Sequence, residues 1–180
     1  GSAPGALLER ETAFDKRYYE ALWRELPPSR NRNDSLRGLI AEEIALKNLS
    51  WALRLRIFYS YSTERIRPFL VSIKDGVHEL DAAALCALEL PLDRREAWLD
   101  WEYPELVNEE SRGKSWSLDP VHVQNRCALR LAKKARQIFR QRPFSLDALA
   151  AWIRLVQFEE DLLTAVAEGL ALGMGVREIL

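Results

Sequence analysis

The stretch EEIALKNLSWALRLR, residues 42–56, has apolar residues on nearly every side of a helix, although it also contains ionisable and amide groups. At about 100° per residue, Leu46, Leu49 and Leu53 cover one flank of such a helix, and Ile44 lies on another. Helices that are apolar nearly all round are buried by their neighbours. We therefore expect this helix to be enclosed by other elements of the fold.

Helical periodicity extends over most of the chain, and alternating, strand-like segments are absent. The predicted fold class is therefore all-α, a bundle of long and short helices. Asp119 can cap a helix that has Pro120 at its first position, and Ser145 can begin the last long helix. The predicted long helices cover residues 6–26, 34–58, 119–141 and 145–169, and the predicted short helices cover 81–88 and 93–101.

The helices predicted at 34–58 and 145–169 share a layout. Each begins with aliphatic residues, has a pair of acids in the middle and continues with further aliphatic residues. This similarity favours repeated helical subdomains. We expect a first subdomain at residues 6–75 and a second at residues 76–180.

The composition argues against several classes of partner. The 26 Lys and Arg residues are balanced by 27 Asp and Glu, so the net charge of −1 gives no overall attraction to nucleic acid or to an anionic membrane. Crossing a bilayer takes ~20 apolar residues, and charged residues interrupt the shorter apolar runs found here. Cys86 and Cys127 lie within helical patterns, which indicates buried, reduced thiols and a cytoplasmic location.

Polar residues within the apolar helices are candidate interface sites. In the second long helix, Glu43, Asn48 and Arg54 could line a polar seam where other helices or another subunit dock in one register. Lys47 lies four residues after Glu43, so a surface ion pair between these two is the ordinary alternative. In the last helix, Glu160 lies at the centre of an apolar stripe, where a carboxylate is expected to need a partner or a water-filled cavity.

A basic stripe is predicted on the helix at 119–141, because seven basic residues and no acid lie between Arg126 and Arg142. The members that share one face are Arg126, Arg130, Lys133 and Arg140. A solvated face is the ordinary explanation, and phosphate groups, lipid head groups or an acidic protein surface are the alternatives. The acidic segment 93–110 could also neutralise this stripe within the chain.

The signals of catalysis are weak. The histidines and cysteines have no metal-ligand spacing, and GLALGMG lacks the strand that precedes a phosphate-binding loop. A hydrolase would have to use Glu160 or the carboxylates of residues 93–105, and local spacing places no nucleophile or second acid beside Glu160. We predict no catalytic residue, no cofactor and no metal; a helical adaptor or regulatory scaffold is one function that needs none of them.

Three segments share their order and spacing with one known family. They are FDKRYYEALWREL at residues 14–26, EIALKNLSWALRLR at 43–56, and the close of the chain from Ser145 to Leu180. The first two resemble the Asp-x-x-Tyr-Tyr and Glu-Ile-Asp-x-x-Asn-Leu-x-x-x-x-Arg helices of the C subunit of A-type and V-type rotary ATPases, called d in eukaryotes. The third resembles that family's ending, a helix with acids and Asn-Leu followed by glycine and a short turn.

The sequence also departs from that family's pattern. The second motif is matched at Glu43, Ile44, Asn48, Leu49 and Arg54. Ala45 stands where the family usually has Asp, and Asp161 with Leu162 stands where it usually has Asn-Leu. Family members also carry a further N-terminal helical third, which we expect to be missing from this sequence.

The resemblance implies an all-helical funnel that is peripheral to the membrane on its cytoplasmic side. Such a subunit would receive the rotor shaft, rest on the proteolipid ring, and transmit torque without hydrolysing ATP or using a cofactor. The implied interface set is Glu43, Lys47, Asn48, Arg54 and Glu160, and the basic stripe would face lipid head groups or loops of the ring. No nucleic-acid partner is implied.

Overall fold

The computed structural model describes residues 4–27, 35–75, 78–110 and 115–174. Within these ranges the fold is all-α, and the only strand-like pairing is an isolated bridge between Lys74 and Glu79. The α-helices are α1 (Pro4–Glu25), α2 (Ser35–Phe58), α3 (Thr63–Ile66), α4 (Ala82–Glu89), α5 (Pro120–Gln141) and α6 (Leu146–Ala171). Short 3-10 turns cover Arg67–Phe69, Arg95–Trp98 and Pro104–Leu106.

The predicted all-α class is confirmed, and the long helices begin and end within two residues of their predicted limits. The helix predicted at 93–101 is wrong, because only Arg95–Trp98 is helical and that segment is a 3-10 turn. Trp98 explains the compact turn. Its side chain is fully buried, and its indole N–H donates to the carbonyl of Pro91 at 2.7 Å, which ties the turn to the segment before it.

The chain divides into two compact units, residues 1–127 and 128–180. The first contains α1 to α4 and the 3-10 turns, and α5 continues from it into the second, which also contains α6. The first predicted subdomain, 6–75, lies inside the first unit. The boundary predicted after residue 75 therefore falls within that unit.

Helix α2 is the buried centre of the first unit, as its apolar circumference predicts. Leu39, Ile44 and Leu49 have no exposed surface, and Leu53 is almost as fully covered. Burying a side chain of this size is worth about 1.5–3 kcal/mol relative to leaving it exposed. Several such residues on different sides of one helix require neighbours on those sides.

Two clusters of buried side chains surround α2. The first joins it to α1 and to the segment around residues 71–80; its buried members are Tyr19, Trp23, Leu26, Ile40, Ala41, Ile44, Val71 and Leu80. The second joins it to α3 and α4; its buried members are Ala52, Leu55, Ile66, Leu70, Ala84 and Leu88. Small residues on α4, such as Ala84, let that helix approach α2 closely.

The end of α4 is held by a side chain from α2. The Arg56 guanidinium donates from Nη1 to the carbonyls of Ala87 (2.9 Å) and Leu90 (2.7 Å). The last carbonyls of a helix lack partners within it, so this arginine supplies them. Burial lowers the pKa of Arg56, and the nearby Glu89 opposes that change.

In the second unit, Ser145 begins α6 as the sequence predicts. Its Oγ accepts a hydrogen bond from the amide of Ala148 at 3.1 Å, which is the usual geometry of a helix cap. The preceding Phe144 has φ of 62°, a left-handed conformation that turns the chain between the two helices. On α6 the buried residues are Ala148, Ala151 and Gly169, so the small side chains are the covered ones.

We predict that Leu49→Ala lowers the free energy of unfolding by about 3 kcal/mol, because it leaves a cavity beside a fully buried helix. The matched control is Leu129→Ala on α5, where the leucine is 52% exposed. Urea unfolding followed by circular dichroism measures both. A Leu49→Ala midpoint equal to that of Leu129→Ala would contradict the buried position of α2.

Candidate interface residues

Asn48 is fully buried and joins α2 to two other parts of the first unit. Its Oδ1 accepts from the Val71 amide at 2.8 Å, and its Nδ2 donates to the carbonyls of Val71 (3.0 Å) and Leu80 (2.9 Å). A side-chain amide can make about four hydrogen bonds, and three are made here. Asn48 therefore acts inside the chain, as a clamp between α2 and the segment that contains Val71 and Leu80.

Glu43 is also buried and faces α1. Its Oε1 accepts a hydrogen bond from the Tyr19 hydroxyl at 2.9 Å. A carboxylate needs such donors when water is excluded. The polar contacts of Glu43 and Asn48 thus lie within the chain.

Lys47 and Arg54 lie farther out. The ammonium group of Lys47 is 3.4 Å from Asp15 Oδ2, so Lys47 forms an ion pair with a residue of α1. Both side chains of this pair are about 40% exposed, at 39% and 42%. Arg54 is exposed. Of the four α2 residues predicted as interface, two are therefore buried and two reach the surface.

A second buried polar group, centred on Arg37, was not predicted. Its Nη1 donates to the carbonyls of Leu26 (3.1 Å) and Pro27 (3.0 Å), which extend from the end of α1. Its Nη2 contacts Asp75 Oδ2 at 2.9 Å, and its guanidinium lies 4.0 Å from the centre of the Trp23 ring. These partners are up to 38 residues from Arg37 in sequence, so no local spacing signals the group.

The sequence predicts that Glu160 lies within a buried stripe of α6. In the structure it lies at the surface. The apolar residues beside it are exposed as well, including Ile153, Val156 and Leu163. The sequence pattern identified the stripe correctly. The error concerned its environment, because α6 is covered on its alanine side.

The basic stripe lies on the outside of α5. Arg126, Lys133 and Arg140 are exposed and Arg130 is half-buried, whereas Cys127, Ala135 and Ile138 of the opposite face are buried. The stripe is thus accessible to an anionic partner along most of its length.

The Cys86 thiol is exposed, which corrects the expectation that both cysteines are buried.

A groove of about 590 Å³ lies between α1 and the α3 segment. Its lining residues are Thr12, Ala13, Lys16, Arg17, Glu20, Arg65, Pro68 and Phe69. Glu20 is its one carboxylate, whereas a general acid and base pair would need two such groups. In the part of the chain that the structure describes, no three His, Cys, Asp or Glu side chains are grouped to hold a metal ion.

A family model described as the ATP synthase (C/AC39) subunit matches residues 4–180. The chain belongs to the ATP synthase C/AC39 family. This agrees with the resemblance of its helices to a subunit of V-type and A-type ATPases. None of the described helices is both long and apolar enough to span a bilayer. The predicted final turn at residues 176–180 lies outside the described residues.

A relative in Treponema pallidum (strain Nichols), itself an uncharacterized protein, is 29% identical to this C/AC39 chain over 170 residues. The match covers 86% of this chain and 47% of the relative. The chain therefore spans about half the length of the curated relative that it matches. No solved structure matches the chain significantly.

We predict that Asn48→Leu destabilises the protein by about 3 kcal/mol, because it leaves the Val71 amide and two buried carbonyls without their partner. Asn125→Leu, at an exposed position of α5, is the matched control. Urea unfolding measures the difference. If both variants unfold within about 0.5 kcal/mol of the parent, the usual range for surface changes, then Asn48 is not a clamp.

Proposed function

We propose that this chain forms part of a non-catalytic, central-stalk connector of a V-type or A-type ion-translocating ATPase. In this role it links the rotor shaft to the membrane proteolipid ring, peripheral to the membrane on the cytoplasmic side, and transmits torque between them. The observation that carries the proposal is the family match over residues 4–180. No catalytic residue, cofactor or metal takes part.

The internal contacts of α2 support a role in transmitting torque. A connector must keep its helices in one register, and the Asn48 and Arg37 groups join α2 to the end of α1 and to the segment that contains Val71, Asp75 and Leu80. A shifted register would leave buried polar atoms unpaired, at a cost of about 1–3 kcal/mol for each. In this account Glu43 and Asn48 stabilise the packing of α2 within the subunit. Arg54 and Lys47, which pairs with Asp15, lie at the surface of α2.

The basic stripe supports an anionic contact. Three exposed cations of this face, Arg126, Lys133 and Arg140, could approach acidic loops of the ring or lipid head groups, where each Lys or Arg near an anionic surface contributes about 1 kcal/mol. The contact would weaken as salt rises, because exposed charges are screened.

Affinity purification of the tagged chain from gently solubilised membranes of its natural host tests the proposal. We expect shaft and ring subunits of the ATPase to be recovered with it and identified by mass spectrometry. A helical adaptor would instead recover other partners. Repeated recovery of those partners without any ATPase subunit would contradict the connector role.

The stripe is tested separately with the triple variant Arg126→Glu, Lys133→Glu and Arg140→Glu, whose side chains are exposed. We expect at least about a tenfold loss of ring subunits, on the scale of 1 kcal/mol per basic residue, with shaft subunits retained. The matched control reverses three exposed acids, Glu96, Asp100 and Glu109. Unchanged recovery of the ring with the basic-stripe variant would show that the stripe is only a solvated face.

A further inference from the structure

Helix α6 exposes a regular apolar seam along most of its length. Its positions alternate at spacings of four and three residues: Leu149, Ile153, Val156, Glu160, Leu163, Ala167 and Leu170. We call this set the α6 seam. Its five large apolar members are between 41% and 63% exposed, although residues of this type are usually covered.

The spacing of the α6 seam identifies the kind of surface that fits it. Alternation of four and three residues is the heptad repeat, which keeps one stripe of a helix facing a second helix over several turns. The seam runs for 22 residues, from Leu149 to Leu170, so it presents seven successive layers. A strict stripe of this kind is the narrow seam of a coiled coil, whereas a helix packed on a globular core usually has a broader apolar face. The geometry favours an α-helix as the occupant.

Glu160 restricts the chemistry of the helix that can bind the α6 seam. It occupies the fourth of the seven layers, the centre of the seam, with four apolar residues of the seam one and two layers away. No described residue gives its carboxylate a hydrogen bond or an ion pair. A helix that covers the seam would remove water from this carboxylate, and the cost of burying it is offset only by a cation or donor opposite it.

The central position of Glu160 also argues against a second copy of this chain. In-register parallel pairing of two α6 seams places Glu160 opposite Glu160, and antiparallel pairing centred on the seam does the same. Two carboxylates held together in a desolvated seam repel each other. The neighbouring Glu159 and Asp161 add to the negative charge around this layer.

We propose that the α6 seam binds one amphipathic helix of a different sequence, with apolar residues at heptad spacing and a Lys or Arg at its central layer. The charge pair opposite Glu160 selects the partner and its register, as single polar core positions do in coiled coils. This inference concerns the chemistry of the bound helix and does not depend on which complex contains the chain. Its failure would leave the connector role untouched.

A pair of synthetic peptides tests the proposal. Both have seven heptad core layers of Ile and Leu; one has Lys at the central layer, and the other has Glu there. Because the fourth of seven layers is central in either direction, Lys meets Glu160 in parallel and in antiparallel pairing. We expect the chain of residues 1–180 to bind the Lys peptide about tenfold more tightly than the Glu peptide in fluorescence anisotropy, the scale of one charge contact in an interface.

Variants of the chain identify the surface. Glu160→Lys should reverse the preference between the two peptides, and Leu163→Asp should abolish binding of both with the helical circular dichroism unchanged. Leu129→Asp, which alters a leucine on α5 that is also more than half exposed, should change neither affinity. Equal affinities for the two peptides, or binding that survives Leu163→Asp, would overturn the proposal.

Sedimentation of the chain alone tests the competing occupant. We expect no dimer formed through the seam in the parent chain, and self-association in Glu160→Leu, because that change removes the like-charge layer. A dimer of the parent chain that Leu163→Asp dissociates would overturn the proposal and assign the seam to a second copy.

Discussion

The Asn48 side chain is the interaction on which the rest of the first unit depends. It joins α2 to the two ends of one segment, Val71 and Leu80. The described residues of that segment, 71–75 and 78–80, are not helical, so an amide side chain supplies partners for its backbone. The position of α4, which begins directly afterwards at Ala82, follows from where this segment is held.

The buried polar groups and the exposed apolar groups of this chain have opposite roles. Asn48, Glu43 and Arg37 are used within the first unit, where each fixes the register of one element against another. In the second unit, the buried residues of α6 are all small, whereas several of its leucines are more than half exposed. Specificity inside the chain therefore comes from hydrogen bonds, and the accessible surface for association comes from aliphatic side chains around a single carboxylate.

The sequence predicted the limits of the long helices well, and α5 and α6 begin at the caps Asp119 and Ser145 that it indicated. The roles of side chains were predictable only where the partner was local. Ser145 caps α6 as expected, whereas Lys47 pairs with Asp15, 32 positions earlier and on another helix. Arg37 was missed for the same reason, since its partners become neighbours only when α1, α2 and residue 75 are packed together.

The apolar stripe of α6 shows a different limit of sequence reasoning. Its period indicates a helix face that is to be covered, and the pattern alone cannot distinguish cover by the same chain from cover by another. Glu160 was expected to be buried on that basis and lies at the surface. Contiguous exposed apolar patches are typical of surfaces that associate with another protein.

Native-state hydrogen exchange at the Val71 amide tests the central claim most directly. If Asn48 clamps this buried amide, Val71 should exchange only when the first unit unfolds as a whole, with an opening free energy that falls as steeply with urea as that of the α2 core amides. Exchange of Val71 at a much lower opening free energy, independent of urea, would mean that the segment opens by itself. The clamp would then not hold the unit together.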